Sequence, residues 1–300
     1  MADIMKNPDI FDRALITGAD GMIGSYIDFG IRTNHRQLDV TNLAEVMKVC
    51  NEHKPKLIIH LAAETDVDHC ECDATHAYNV NAVGAYNMAT AARAVGAKLV
   101  YISTSGVFNG TKAEPYVEED IPAPQTVYGH SKYLGELAVI GVLDNYLILR
   151  ICWVFGGGKS RDQKFIAKII RQLDQPIINV VTGKRGSPTY GKDIVAGMRR
   201  LVEEGKSGLY HMSNDGTPTR ADVVREIVQI TGSRTNVQEV DANFFGAKDA
   251  SRPNNESIVS KVPYMRPWQE ALAEYIHTEW SPFSKDRGRK ESSSRASELS

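Results

Sequence analysis

The chain has 300 residues, a formal net charge of -2 and 42% hydrophobic residues. That length can bury one large core with a smaller lobe beside it, and the near-neutral charge excludes a basic field for a nucleic-acid backbone or a polybasic membrane patch. The four cysteines (Cys50, Cys70, Cys72, Cys152) lack a paired C-x-x-C arrangement, so neither a disulfide framework nor a metal site is expected. The polar first twelve residues lack the apolar core of a leader, and no stretch approaches the ~20 apolar residues that span a bilayer, which together point to a cytoplasmic protein.

The first strand is expected at Ala14–Thr17 and runs into Gly18-Ala19-Asp20-Gly21-Met22-Ile23-Gly24. Glycines there let the backbone turn tightly and approach a pyrophosphate at the N-terminus of a following helix. Gly18, Asp20, Gly21, Met22 and Ile23 are the expected cofactor contacts. Beyond the second strand, an acidic residue reads a ribose 2'-hydroxyl and an arginine reads a 2'-phosphate. Arg32, His35 and Arg36 precede the first carboxylate, Asp39. NADPH is therefore the preferred cofactor and NADH the alternative; otherwise Arg32 and Arg36 are solvated loop charges. Asp39 and Val40 fall where the chain passes the adenine, although Asp39 or Thr41 can equally cap the next helix.

Helices are expected at 43–52, 75–95 and 131–143, between apolar strands at 56–61, 98–103 and 146–151. Continuous apolar strands between amphipathic helices give a doubly wound parallel α/β sheet of Rossmann type. At the ends of these strands, Leu61, Ala62 and Ala63 offer small residues beside a cofactor, and Thr104 a hydroxyl for a substrate carbonyl, with Ser103 and Ser105 as rival hydroxyls. Tyr128 and Lys132 stand four residues apart on one helix face, where a cation favours ionisation of the phenol. After Gly156 the alternation weakens: helices at 162–173, 191–204 and 220–231 and a strand at 208–213 suit a smaller lobe. Residues 1–155, with interleaved parts of 176–215, are assigned to dinucleotide binding, the rest of 156–280 to a substrate lobe, and 281–300 to a disordered tail.

Taken together, these residues resemble an extended short-chain dehydrogenase/reductase, and within that superfamily the dTDP-4-dehydrorhamnose reductase family. The resemblance covers roughly 13–277 and rests also on His60 through Asp68, Asn79-Val80-Asn81, Val107-Phe108-Asn109-Gly110, Arg150 through Gly156, Ser187-Pro188-Thr189-Tyr190, Arg252-Pro253 and Trp268 through Leu272. It implies NADPH-dependent reduction of the 4-keto group of a nucleotide-diphosphate sugar, with Tyr128 as proton donor, Lys132 holding the ribose and the phenol, and Thr104 as the catalytic hydroxyl. Ser105, Trp153, Arg252 and Asn255 become the implied substrate contacts, Arg252 being otherwise a salt-bridged loop residue.

Where the family has Ser-Thr-Asp-Tyr-Val-Phe, this chain has Ser105-Gly106 in the third and fourth places, so a substrate-facing ring is missing. The run from Arg32 to Asp39 is similar to the NADPH-binding stretch of GDP-fucose synthases. Two rivals share the fold. A dehydratase or epimerase is one, although Ser105-Gly106 cannot supply a dehydratase's acid/base pair. The other is a non-catalytic subunit like the regulatory subunit of methionine adenosyltransferase, which is similar around Glu118 through Pro124. The sequence leaves open whether the chain forms a homodimer.

Overall fold

The computed structural model describes residues 9–246 and 253–280; the tail expected at 281–300 lies outside them. Ten strands are β1 (Ala14–Thr17), β2 (Ile31–Thr33), β3 (Leu57–His60), β4 (Lys98–Thr104), β5 (Tyr146–Ile151), β6 (Val154–Phe155), β7 (Ile177–Val181), β8 (Thr189–Tyr190), β9 (Gly208–His211) and β10 (Asn236–Val240). The central sheet has the order β2-β1-β3-β4-β5-β9 and is parallel throughout. Helices on both faces explain its composition: β1, β3 and β4 are buried at every position, so they read as uninterrupted rather than alternating apolar runs.

The covering helices are α1 (Leu43–His53), α2 (Val67–Cys72), α3 (Ala74–Tyr78), α4 (Gly84–Val95), α5 (Val127–Val142) and α7 (Gly191–Glu203), with α6 (Phe165–Ile170), α8 (Arg220–Thr231) and α9 (Trp268–Glu279) in the second lobe. The core on one sheet face gathers Ile16, Ile59, Leu149, Ile194 and Met198, and that on the other Leu15, Ile58, Met88, Leu99 and Ile148. A separate core of Phe155, Ile170, Val224, Leu272 and Tyr275 packs α6, α8 and α9 around the parallel pair β7 and β10.

Three local expectations are corrected. No helix follows the glycine turn; Gly24–Tyr26 makes a single 3-10 turn. Ile27 is already extended, with φ -95 and ψ 119, and only Ile27 through Gly30 remain before β2, too few for a helix of several turns. The continuous helix expected over 75–95 is α3 and α4 joined by a π-helical segment, Asn79–Val83. The one expected over 162–173 contracts to α6, because the Asp162 carboxylate accepts from the amides of Gly156 and Lys164 at 3.1 and 2.9 Å, which ties this stretch down ahead of the helix. α1 is capped by Asn42, which accepts from Ala44 and Glu45; Asp39 instead closes a turn onto the amide and hydroxyl of Thr41.

The turn after β1 is held from outside. Gly18 has φ +67, and a Cβ there would lie 2.7 Å from the Ala62 amide nitrogen, so only glycine lets the turn lie against the end of β3. Tyr26 then reaches across to α9, donating to Glu279 at 2.5 Å, and Tyr190 donates to the same carboxylate at 2.6 Å.

Beneath the carboxyl edge of the sheet lies a buried ion pair. Arg150 of β5 donates through Nε and one terminal nitrogen to the two oxygens of Glu136 on α5, at 2.9 and 2.7 Å, and the Ser103 hydroxyl of β4 donates to the same carboxylate. The two charged side chains are 3% and 1% exposed, so removing one partner strands the other without solvent. Glu136→Leu is expected to cost about 3–5 kcal/mol in urea unfolding, with much of the loss recovered by adding Arg150→Met; equal losses in the single and double variants would show that the pair does not act as a unit.

Candidate functional site

Residues 128, 132 and 136 fall on one face of α5 at successive turns. Glu136 anchors the lowest position to Arg150, which sets Lys132 and Tyr128 progressively nearer the carboxyl edge. Thr126 caps the helix by accepting from the Gly129 amide at 3.0 Å. Gly129 meets the loop after β4 so closely that a Cβ would lie 2.1 Å from the Gly106 carbonyl oxygen. That approach brings Tyr128 beside Thr104: a Cβ at Gly106 would touch both the Thr104 hydroxyl and the Tyr128 ring.

The phenol of Tyr128 is pushed up to about 12 by burial, against which the Thr104 hydroxyl acts in the other direction. Burial outweighs every neighbouring group, so the phenol is raised rather than lowered, contrary to the expectation that the ammonium ionises it. The tyrosine is therefore held in its protonated form, as a proton donor requires. Thr104 is the last residue of β4, and its Oγ1 accepts from the Gly106 amide at 3.0 Å.

Lys132 is 3% exposed, its Nζ lies 4.2 Å from the centroid of the Tyr101 ring, and among the described residues it has no hydrogen-bond acceptor. Burial lowers it to about 7, with Glu136 acting in the opposite sense. Beside it His60 is held neutral, lowered to about 3 by burial and then by Lys132. One ring nitrogen of His60 is 2.7 Å from the Thr17 hydroxyl and the other is buried without a partner. The sequence assigned no role to the side chains of His60, Tyr101, Glu136 and Arg150, although His60 and Arg150 fall in stretches that carry the family resemblance. The recurrence of 128, 132 and 136 every four residues was the available signal for Glu136; the others become visible only when strand ends are brought together.

The glycine turn offers an anion site without a helix. The amides of Asp20, Met22 and Ile23 have no acceptor among the described residues, the condition under which successive N–H groups bind a phosphate oxygen. Gly21 is exposed, and Leu61, Ala62 and Ala63 are half-buried across the crevice between β1 and β3, where the strand order reverses. Open amides on one side and an ammonium lacking an acceptor on the other fit the pyrophosphate and ribose of a dinucleotide.

The two arginines part company. Arg32 donates to the carbonyls of Ile27, Ala19 and Gly24 at 2.6, 3.2 and 3.4 Å, so it clamps the turn rather than standing ready for a phosphate. Arg36 is exposed, and its guanidinium has no partner among the described residues. The Asp20 carboxylate accepts from Asn34 at 2.7 Å. Val40 is buried under α4.

On the substrate side, Trp153 has φ +37, donates from Nε1 to Glu256 at 3.0 Å and lies beneath the Arg220 guanidinium. Ser105, expected to contact substrate, is buried at the 3-10 turn that follows β4. Asn255 is committed internally: its amide donates to the carbonyls of Lys112 and Glu114, and its oxygen accepts from Ser257. It lines a cavity of about 530 Å³ with Lys112, Arg185 and Asn254. Arg252 lies outside the described residues.

Residues 12–280 match the family model described as the RmlD substrate binding domain. The chain is 31% identical to the spore coat polysaccharide biosynthesis protein SpsK of Bacillus subtilis, over 88% of this chain and 96% of that protein. It is 32% identical to a dTDP-4-dehydrorhamnose reductase of Streptomyces griseus, over 87% and 92%. Among solved structures, the dTDP-4-dehydrorhamnose reductase of Bacillus anthracis in complex with NADP superposes with a TM-score of 0.83 at 35% identity, covering 89% of this chain and 99% of that one.

The lysine pKa carries a stability prediction. With the folded value near 7 against an ordinary 10.5, the folded state holds fewer protons than the unfolded state between those values, so the penalty of the buried ammonium is full below pH 7 and fades as pH rises toward 10.5. Lys132→Met is thus expected to raise the Tm of the cofactor-free protein most at pH 6 and least near pH 10. A gain independent of pH would show that the ammonium is not desolvated.

Proposed function

This chain belongs to the RmlD substrate binding domain family, and we propose that it is an NADPH-dependent reductase of the 4-keto group of a dTDP-linked deoxy sugar. The observation that carries the proposal is the meeting of Thr104 and Tyr128, one helical turn from a buried lysine that has no acceptor among the described residues, together with a turn whose amides are open. The activity for which the Streptomyces griseus relative is named and the NADP in the Bacillus anthracis structure support the substrate class and the cofactor.

NADPH, when bound, supplies the hydride. Asp20, Met22 and Ile23 hold the pyrophosphate through their amides, Arg36 meets the 2'-phosphate, and Lys132 donates to the nicotinamide ribose. Thr104 and Tyr128 hydrogen-bond the keto oxygen. As negative charge grows there, these fixed donors stabilise it more than they stabilise the neutral ketone, and the proton on Tyr128 Oη passes to the oxygen. Trp153 faces the sugar. Arg185 and Lys112, at the 530 Å³ cavity, offer positive charge to the diphosphate.

Gly106 stands where the family pattern has a ring, which favours a sugar whose substituents differ from those of the rhamnose precursor. Four buried or exposed free thiols support a reducing cytoplasm, and no helix of the described residues is long and apolar enough to cross a membrane. Exposed Val83 and Tyr86, with Leu134, Leu137 and Ile140 of the neighbouring α5, support a homodimer built on that face.

Tyr128→Phe should lower kcat by roughly 10²–10⁴-fold while leaving the Kd for NADPH within a factor of about two. Near-normal turnover in steady-state assays would remove Tyr128 from the proton-transfer role.

A further inference from the structure

The segment joining β3 to the π-helical turn carries a cluster that keto reduction does not use. Glu64 follows β3, His69 lies in α2 and His76 in α3, and one potential ligand atom from each lies within 4.8 Å of the others. Glu64 Oε2 is 3.0 Å from His69 Nδ1 and 3.6 Å from His76 Nε2, and the two rings meet edge-on at 5.6 Å. Two imidazole nitrogens thus converge on a single carboxylate oxygen.

The carboxylate is fixed before any ligand arrives. Its other oxygen accepts from the Asp66 amide at 2.8 Å. The Glu64 amide donates to Asn81 Oδ1 at 2.9 Å, while Asn81 Nδ2 donates back to the Glu64 carbonyl at 3.0 Å. α2 and α3 are in turn capped by Asp66 and Asp73, which sets the two histidines in place.

We propose that Glu64, His69 and His76 form a binding site for a borderline divalent transition metal of the zinc class. Two imidazoles and one carboxylate are a donor set of this class. With metal–ligand bonds of ~2.0–2.2 Å, donor atoms in a tetrahedral site lie about 3.4 Å apart, and the two measured separations bracket that value. The side chains of His69 and His76 are 51% and 47% exposed, so an ion can enter and keep a further position for water.

The site is coupled to the catalytic helix. Asn81 also donates to Ser131, between Tyr128 and Lys132. Tyr78, two residues beyond His76, is hydrogen-bonded to His130 at 3.0 Å. A bound ion staples α2 to α3 and braces the first turn of α5. This assignment stands independently of the reductase reading.

The test is titration of the full, chelator-treated protein with Co²⁺, followed by its visible absorption, and with Zn²⁺ by calorimetry. One equivalent should bind. His69→Ala, His76→Ala and Glu64→Gln should each weaken binding by more than ~100-fold, beyond what loss of an outer-shell partner costs, while His53→Ala, at the end of α1, leaves it unchanged. In the unsubstituted protein, Zn²⁺ should shift the imidazole NMR resonances of His69 and His76 but not that of His53, which keeps the test independent of how the variants fold. No saturable binding, or binding that persists in the His69→Ala/His76→Ala protein through another group such as exposed Cys72, would overturn the proposal.

Discussion

The site depends on the salt bridge between Glu136 and Arg150. One carboxylate receives β5 through Arg150 and β4 through Ser103, and it belongs to the helix that carries Tyr128 and Lys132. Because each turn of α5 is then fixed relative to two strand ends, and Gly129 packs against the loop after β4, the phenol lands beside the hydroxyl of Thr104. The same carboxylate is the charge that partly counters the desolvation of Lys132. Burying so many charges is a poor way to gain stability, since the desolvation cost consumes most of the Coulombic gain. What it achieves here is position: a reacting group displaced by 1 Å can lose two orders of magnitude in rate.

The cofactor side follows a different economy of structure. A Rossmann turn ordinarily aims a helix dipole at the pyrophosphate, but the chain between Gly24 and β2 is too short to build that helix. The turn stays rigid through contacts from elsewhere: Arg32 gathers three of its carbonyls, and Tyr26 links it to α9 in the second lobe. Open amides rather than a macrodipole then provide the anion site. The Tyr26–Glu279–Tyr190 cluster joins the lobes beside the glycine turn, so it bears on both core packing and the geometry of that turn.

Much of this was legible in the sequence. The parallel sheet followed from strands without alternation, and the Thr104, Tyr128 and Lys132 constellation from a strand-end hydroxyl and a four-residue spacing. The errors have physical causes. Glycine spacing around Gly18 reports a tight turn, whereas the helix after it depends on how many residues remain before β2. Arg32 has the chemistry of a phosphate ligand, yet nearby carbonyls compete for it. Asn255 looked available because a sequence does not show that Lys112, Glu114 and Ser257 claim its hydrogen bonds. The phenol was expected to be lowered by Lys132 because proximity along a helix face says nothing about burial, which dominates both groups.

The central claim is that the Thr104–Tyr128 pair completes a hydride transfer to a sugar carbonyl. Its most direct test is incubation of the purified protein with NADPH deuterated at the transferring position of nicotinamide C4 and a panel of dTDP-, GDP- and CDP-linked 4-keto-6-deoxy sugars, with product analysis by NMR. The account predicts nicotinamide oxidation matched one for one by deuterium at C4 of a dTDP-linked product. Tight NADPH binding with no oxidation across the panel would contradict it and mark the chain as a binding protein on a reductase fold.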